Sequence, residues 1–191
     1  MGKQFLDEQQ VLLDSFRLGV TIYRSGFRPS FIIGIWRGGS AVGIYVQECL
    51  QTLGIDTDHI AIRTSYEGQP YYADMVADPA ARIRVHGSSP LEEKLNLEDH
   101  LLIVDDVYST GYSIEAVKAR LHRRLRRNCP QQIRVATLYR RPSYCAENHP
   151  SPDYCLHETE DWLVFPYEMA GLSSEDIRHH KPWLAGIMNS R

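Results

Sequence analysis

One segment limits the fold of this chain more than any other. Leu101-Leu102-Ile103-Val104 is an unbroken apolar run that passes directly into two acids, Asp105-Asp106. Val107-Tyr108, the small-residue turn Ser109-Thr110-Gly111 and the start of a helical pattern at Tyr112-Ser113 follow. An apolar run without polar alternation needs cover on both faces, which predicts an inner strand of a parallel sheet. In such sheets ligands bind just beyond the carboxyl ends of the strands, and the two acids are expected there. Ser109, Thr110 and Ser113 add three hydroxyls, and Gly111 lets the backbone approach a ligand closely. The free N–H groups of the helix that follows suit a phosphate. Carboxylates accept from hydroxyls and N–H groups donate to phosphate, so a phosphorylated sugar with vicinal hydroxyls fits both features. A lone Thr-Gly-x-Ser would read as an ordinary turn and helix cap; the acids directly before it change that reading.

The rest of the chain supplies the layers such a strand needs. Phe31–Trp36 and Ile60–Ile62 read as further strands, Ile133–Tyr139 as another, and Ile83–Val85 as a short one. Helical spacing joins Leu12, Phe16, Gly19, Val20 and Tyr23, then Val42, Val46, Leu50 and Leu53, then Ile114, Val117, Leu121 and Leu125. Gly26 suits the left-handed cap of the first helix. Strands alternating with helices predict an α/β fold with a central, mainly parallel sheet flanked by helices. Residues 64–82 are polar, without a clear period, and long for a structureless loop, as a functional flap would be. From Pro142 onward the chain reads as loop, apart from the apolar run Trp162–Phe165. His179-His180-Lys181-Pro182-Trp183 reads as a tail, or as a segment that packs on a neighbouring subunit. The 191 residues suit one domain.

Composition narrows the class. The formal charge is −3, from 21 Lys and Arg against 24 Asp and Glu, which disfavours a generally basic nucleic-acid binder. The cationic run of Arg120, His122, Arg123, Arg124, Arg126 and Arg127 has no interleaved aromatics and reads as a solvated helix end. No apolar run approaches the ~20 residues of a membrane helix, and the first eight residues match no targeting leader, so a soluble cytoplasmic protein is expected. Cys145, His149, Cys155 and His157 crowd one stretch, but their spacing fits no common zinc module, and they read as reduced thiols and loop histidines.

The segment Val104–Ser113 resembles the phosphoribosyl-pyrophosphate signature of the type I phosphoribosyltransferases, closest to the xanthine–guanine and hypoxanthine enzymes. The resemblance implies that Asp105 and Asp106 hold the ribose hydroxyls and that Ser109, Thr110, Gly111, Tyr112 and Ser113 hold the 5′-phosphate. Ile35-Trp36-Arg37-Gly38-Gly39 looks like the pyrophosphate loop, in which Arg37, Gly38 and Gly39 would meet the leaving group and the peptide before Arg37 is often cis. Ser65-Tyr66 resembles the Ser-Tyr pair of a mobile flap. Tyr139-Arg140-Arg141-Pro142 resembles the strand end that carries the 6-oxo-binding lysine, and Asp161–Glu168 resembles the hood. There Trp162 would stack on the base, the backbone at Leu163 would read its edge, and Glu168 with Asp105 would help hold magnesium. The hood would come largely from residues 142–191, with N-terminal residues contributing.

The implied activity is transfer of phosphoribose from phosphoribosyl pyrophosphate to a purine base (hypoxanthine, guanine or xanthine) with release of pyrophosphate, as in purine salvage. A homo-oligomer, dimer or tetramer, would be usual. Two positions depart from the 6-oxopurine pattern. Ser109 stands where those enzymes place an aspartate that handles a base proton, and a serine hydroxyl is no base near neutral pH. Arg141 replaces a lysine, keeping the charge but offering a planar fork. A nucleotide-sensing regulator that keeps the phosphoribose site, or a transferase for another base, therefore stays open beside the purine reading.

Overall fold

The computed structural model describes residues 2–66, 83–146 and 149–188. The strands read from the sequence, the short Ile83–Val85 included, all belong to one six-stranded sheet, in which that short strand is an edge; its order is β4-β3-β2-β5-β6-β7. These are β2 (Phe31–Trp36), β3 (Asp58–Tyr66), β4 (Ile83–His86), β5 (His100–Tyr108), β6 (Gln132–Arg140) and β7 (Tyr154–Glu158). All neighbours run parallel except β4, which returns antiparallel along β3. The flap expected over about 64–82 lies, from residue 67 on, outside the described residues.

Two-residue alternation sends each strand's side chains into two cores. Ile32, Leu102, Val104 and Leu138 face α1 (Glu8–Arg24) and α2 (Gly38–Thr52), packing with Leu18, Ile22, Val42 and Val46. Ile33, Ile35, Leu101 and Ile103 face the other way, against Ile114, Val117 and Leu121 of α4 (Tyr112–Leu125) and Leu91 of the short α3 (Ser89–Lys94). The apolar runs in β2 and β5 are continuous because both faces are covered.

Asp7 caps α1 by accepting from the backbone N–H groups of Gln9 and Gln10 at 2.9 and 3.3 Å, and Gly26 takes φ 84° just past its end. The buried stripe of α1 differs from the one hydrophobicity picks out. It runs through Val11, Ser15, Leu18 and Ile22 and includes Asp14 and the expected Gly19, while Leu12, Phe16, Val20 and Tyr23 are only half-buried. Polar groups take core positions here because they are satisfied internally: the Ser15 hydroxyl donates to the Val11 carbonyl at 2.7 Å.

The region after Pro142 is more structured than its sequence suggests. β7 forms the far edge of the main sheet. Its polar side chains find partners, and an edge strand of that kind has no apolar period to read. A second sheet pairs β1 (Lys3–Phe5) in parallel with β8 (Trp162–Val164). Two helices follow, α5 (Ser174–His180), started by a reciprocal Ser173–Asp176 capping box, and α6 (Pro182–Met188). Neither has a buried residue, so neither shows an amphipathic stripe. Residues 179–181 are not a loose tail: the His180 ring stacks on Phe5 at 3.7 Å, and Lys181, 4% exposed, donates to the carbonyls of Phe165 and Pro166 at 3.1 and 2.8 Å.

Candidate active site

The two acids lie within β5 rather than past its end. β6 keeps pace beside it, pairing Thr137 with Asp105 and Arg140 with Tyr108, and so extends the ladder through both carboxylates. Asp105 Oδ1 accepts the Asp106 backbone N–H at 3.0 Å, and Asp106 Oδ1 accepts that of Val107 at 2.8 Å. The Tyr167 hydroxyl donates to Asp106 Oδ2. Burial pushes the Asp105 carboxyl well above the usual carboxylate range, and the neighbouring Asp106 pushes it further.

Asp105, Ser109, Thr110, Gly111 and Ser113 line one cavity. Gly111, at φ 80°, is the residue that starts α4, and no side chain caps that end, so Ser113 is not the cap. Thr110 Oγ1 accepts the Tyr112 N–H at 3.4 Å, and the N–H groups that follow it suit an anion. Ser109 Oγ is buried without a partner in the structure, an orphan of the kind a bound group satisfies. Behind the loop, the Thr110 carbonyl accepts from His149 Nδ1 at 2.8 Å and from the Ala146 N–H at 3.4 Å. The His149 ring also meets Tyr112 edge-on at 4.8 Å.

The start of α2 closes on the acids from the other side. The Trp36–Arg37 peptide is cis. A Cβ at Gly38 would overlap Asp106 Oδ2 and the Tyr167 hydroxyl, and one at Gly39 would lie 2.8 Å from Asp105 Cα. Only glycine lets the helix come this near. Arg37 Nη2 is 3.9 Å from Glu168 Oε1, while Glu168 Oε2 accepts the Phe165 N–H at 3.0 Å. Burial raises the Glu168 carboxyl above its ordinary value; the Phe165 N–H opposes this, the charge of Asp106 adds to it, and Arg37 opposes it.

The hood residues meet at Arg141. Its guanidinium carbon lies 3.9 Å from the Tyr144 ring centre and 5.8 Å from that of Trp162, and Nη2 donates to the Glu160 carbonyl at 3.2 Å. The Leu163 side chain is buried in the core. Its main chain is placed differently. The Trp162 N–H donates to the Gly2 carbonyl at 3.0 Å and the Val164 C=O accepts the Leu6 N–H at 2.9 Å, at the two ends of β1, so by alternation Leu163 turns its N–H and C=O to the edge away from β1. On β3, Ser65 Oγ pairs with His86 Nε2 at 2.9 Å; its neighbour Tyr66 ends the strand.

Three residues at or beside this site have no distinctive sequence pattern: Tyr167, His149 and Lys181. Tyr167 was legible only as the neighbour of Glu168, and His149 only as a member of a failed zinc pattern. His149 and His157 instead bond to the Thr110 carbonyl and to Asp14.

The sequence model described as the phosphoribosyl transferase domain matches residues 1–171. The chain belongs to that family. It is a family of pentosyltransferases, enzymes that move a phosphoribosyl group. Among solved structures the domain is similar to a purine phosphoribosyltransferase from Pyrococcus horikoshii Ot3, with TM-score 0.68 and 23% identity over 91% of this chain and 99% of that one. It is similar to a hypothetical protein from Neisseria gonorrhoeae solved with bound ppGpp, with TM-score 0.71 and 17% identity over 95% and 97%. A xanthine-guanine-hypoxanthine phosphoribosyltransferase from Helicobacter pylori gives 0.63 and 16% over 95% and 99%. At these identities the likeness carries the fold. No curated protein matches the chain.

Proposed function

We propose that this phosphoribosyltransferase moves phosphoribose from phosphoribosyl pyrophosphate to a purine base and releases pyrophosphate. The observation that carries this reading is the shared cavity: Asp105, suited to a sugar hydroxyl, and the uncapped 109–113 loop, suited to a phosphate, line the same space. Arg37 and the glycines after it would meet the leaving pyrophosphate, on which negative charge gathers. Trp162 would stack on the base, with Arg141 beside it and the Leu163 main chain at the base edge. The hypoxanthine, guanine or xanthine class is favoured by this hood and by the purine activities named for the P. horikoshii and H. pylori relatives.

Asp105 and Glu168 would hold magnesium. Among the described residues no three ligating side chains cluster for a metal, but magnesium ordinarily takes one or two carboxylates and completes its shell with substrate phosphates and water, so this set fits. When bound, the ion would offset charge on the pyrophosphate. Exposed Ile44, Trp183 and Ile187 agree with a homo-oligomer, which sedimentation would test.

Pyrophosphate release with hypoxanthine, guanine, xanthine and adenine, each with phosphoribosyl pyrophosphate, tests the reading; release with none of them overturns it. Ser109→Asp is expected to raise turnover of 6-oxopurines. One feature favours a second reading, a nucleotide-sensing regulator: Ser109 leaves the loop without an acid-base group. Nucleotide binding together with a complete lack of pyrophosphate release would select it.

A further inference from the structure

The phosphoribose reading puts a sugar hydroxyl on Asp106, and in this structure both carboxylate oxygens already accept a hydrogen bond. Oδ1 is held by the Val107 N–H, and Oδ2 by the Tyr167 hydroxyl. The first turn of α2 covers the same oxygen, since a Cβ on Gly38 would overlap both Asp106 Oδ2 and the Tyr167 hydroxyl. The Tyr167 ring is anchored by stacking on Phe165 at 5.4 Å, and Phe165 is 2% exposed. The phenol therefore reaches from the hood to the floor of the site and presents one O–H donor to the carboxylate, as a ribose hydroxyl would.

We propose that Tyr167 is a latch. Its hydroxyl occupies the place of a sugar hydroxyl on Asp106, and a sugar phosphate must displace it to bind. The proposal rests on the phosphoribose reading above and adds a control step to it. The latch sits in the turn Phe165–Glu168, directly after the strand that carries Trp162 and Leu163, so its release by the sugar is transmitted to the base side of the site. Inorganic phosphate, which needs only the 109–113 loop, has no reason to disturb it.

The test is calorimetric titration of Tyr167→Phe and of the wild type with ribose 5-phosphate and, separately, with inorganic phosphate. Phenylalanine keeps the stack on Phe165 and removes the competing donor. Ribose 5-phosphate is expected to bind about tenfold more tightly to the variant, with phosphate affinity unchanged. Equal or weaker ribose 5-phosphate binding by the variant overturns the latch. Asp106→Asn separates this from failure of the underlying reading. If the wild type binds ribose 5-phosphate no better than phosphate, and Asp106→Asn changes neither, the sugar site itself is wrong. Should Tyr167→Phe not fold, the wild type labelled with 13C at tyrosine Cζ still decides. The Tyr167 resonance should shift with ribose 5-phosphate and not with phosphate, and an unmoved resonance overturns the proposal.

Discussion

Two carboxylates set into the same sheet-and-helix frame are treated in opposite ways. Asp14, on α1, is 1% exposed and receives three side-chain donors: Gln10 at 2.8 Å, Arg17 at 2.7 Å and His157 at 2.9 Å. Burial alone would raise its pKa, but these three bonds outweigh burial and hold it below the ordinary value. Asp105, on β5, accepts one backbone N–H and faces a second carboxylate, and its pKa is raised well above the ordinary value. The chain satisfies the first acid completely and leaves the second short of donors. A carboxylate kept in that state costs folding stability that a ligand's hydroxyls can restore.

Asp105→Asn tests the contrast most severely. Ribose 5-phosphate affinity should fall about a hundredfold, because bonds to a charged group contribute ~1.5–3 kcal/mol. The ligand-free protein should at the same time melt at a higher temperature. The sign follows from the raised pKa: folding is penalised as pH climbs above the unfolded value near 3.8, and the amide removes that penalty. The gain should therefore grow as pH climbs above 3.8 and fade toward it; a lower melting temperature at pH 7 would break the contrast. Gly39→Ala presses a methyl group toward Asp105 Cα and should destabilise by ~1–3 kcal/mol in chemical denaturation, weakening ribose 5-phosphate binding as β5 shifts.

Asp14→Asn should do the reverse of Asp105→Asn. We expect a loss of about 1–2 kcal/mol at pH 7 with ribose 5-phosphate affinity unchanged. A depressed acid pKa stabilises above the unfolded value and loses that contribution as pH falls through the folded one. The gap between wild type and variant should thus close below about pH 3.8, as acid titration of the melting temperature would record. The smallest effect is expected for His149→Phe. It keeps an aromatic ring beside Tyr112 but leaves the Thr110 carbonyl only the longer Ala146 N–H bond, and should weaken inorganic phosphate binding about fivefold.

The sequence was most legible where one physical demand governs a whole segment. Continuous apolarity in β2 and β5 reported burial on both faces, and the spacing of Ile114, Val117, Leu121 and Leu125 reported a helix with one buried side. The acids and the loop were legible because their chemistry is concentrated in nine consecutive residues, 105–113. What escaped depends on contacts between distant residues. β7 and the stripe of α1 pair polar side chains that satisfy one another, as half-exposed His157 does for buried Asp14 across 143 positions, and hydropathy does not register such pairs. α5 is held by its capping box and by Lys3 bonded to Asp176 at 2.6 Å, and shows no amphipathic stripe. Tyr167 is of the same kind, since its bond to Asp106 spans 61 positions.

The small β1–β8 sheet joins residues 2–6 to 162–164, and residues 176–181 brace it from outside through Lys3, Phe5, Phe165 and Pro166. On the proposed reading, the wall beside the base is thus stitched together from opposite stretches of the polypeptide, whereas the sugar-phosphate floor comes from consecutive ones. A peptide appended near Lys3, or a helix trimmed at Asp176, would be felt first as a change in which heterocycle is admitted, with the grip on the phosphate intact.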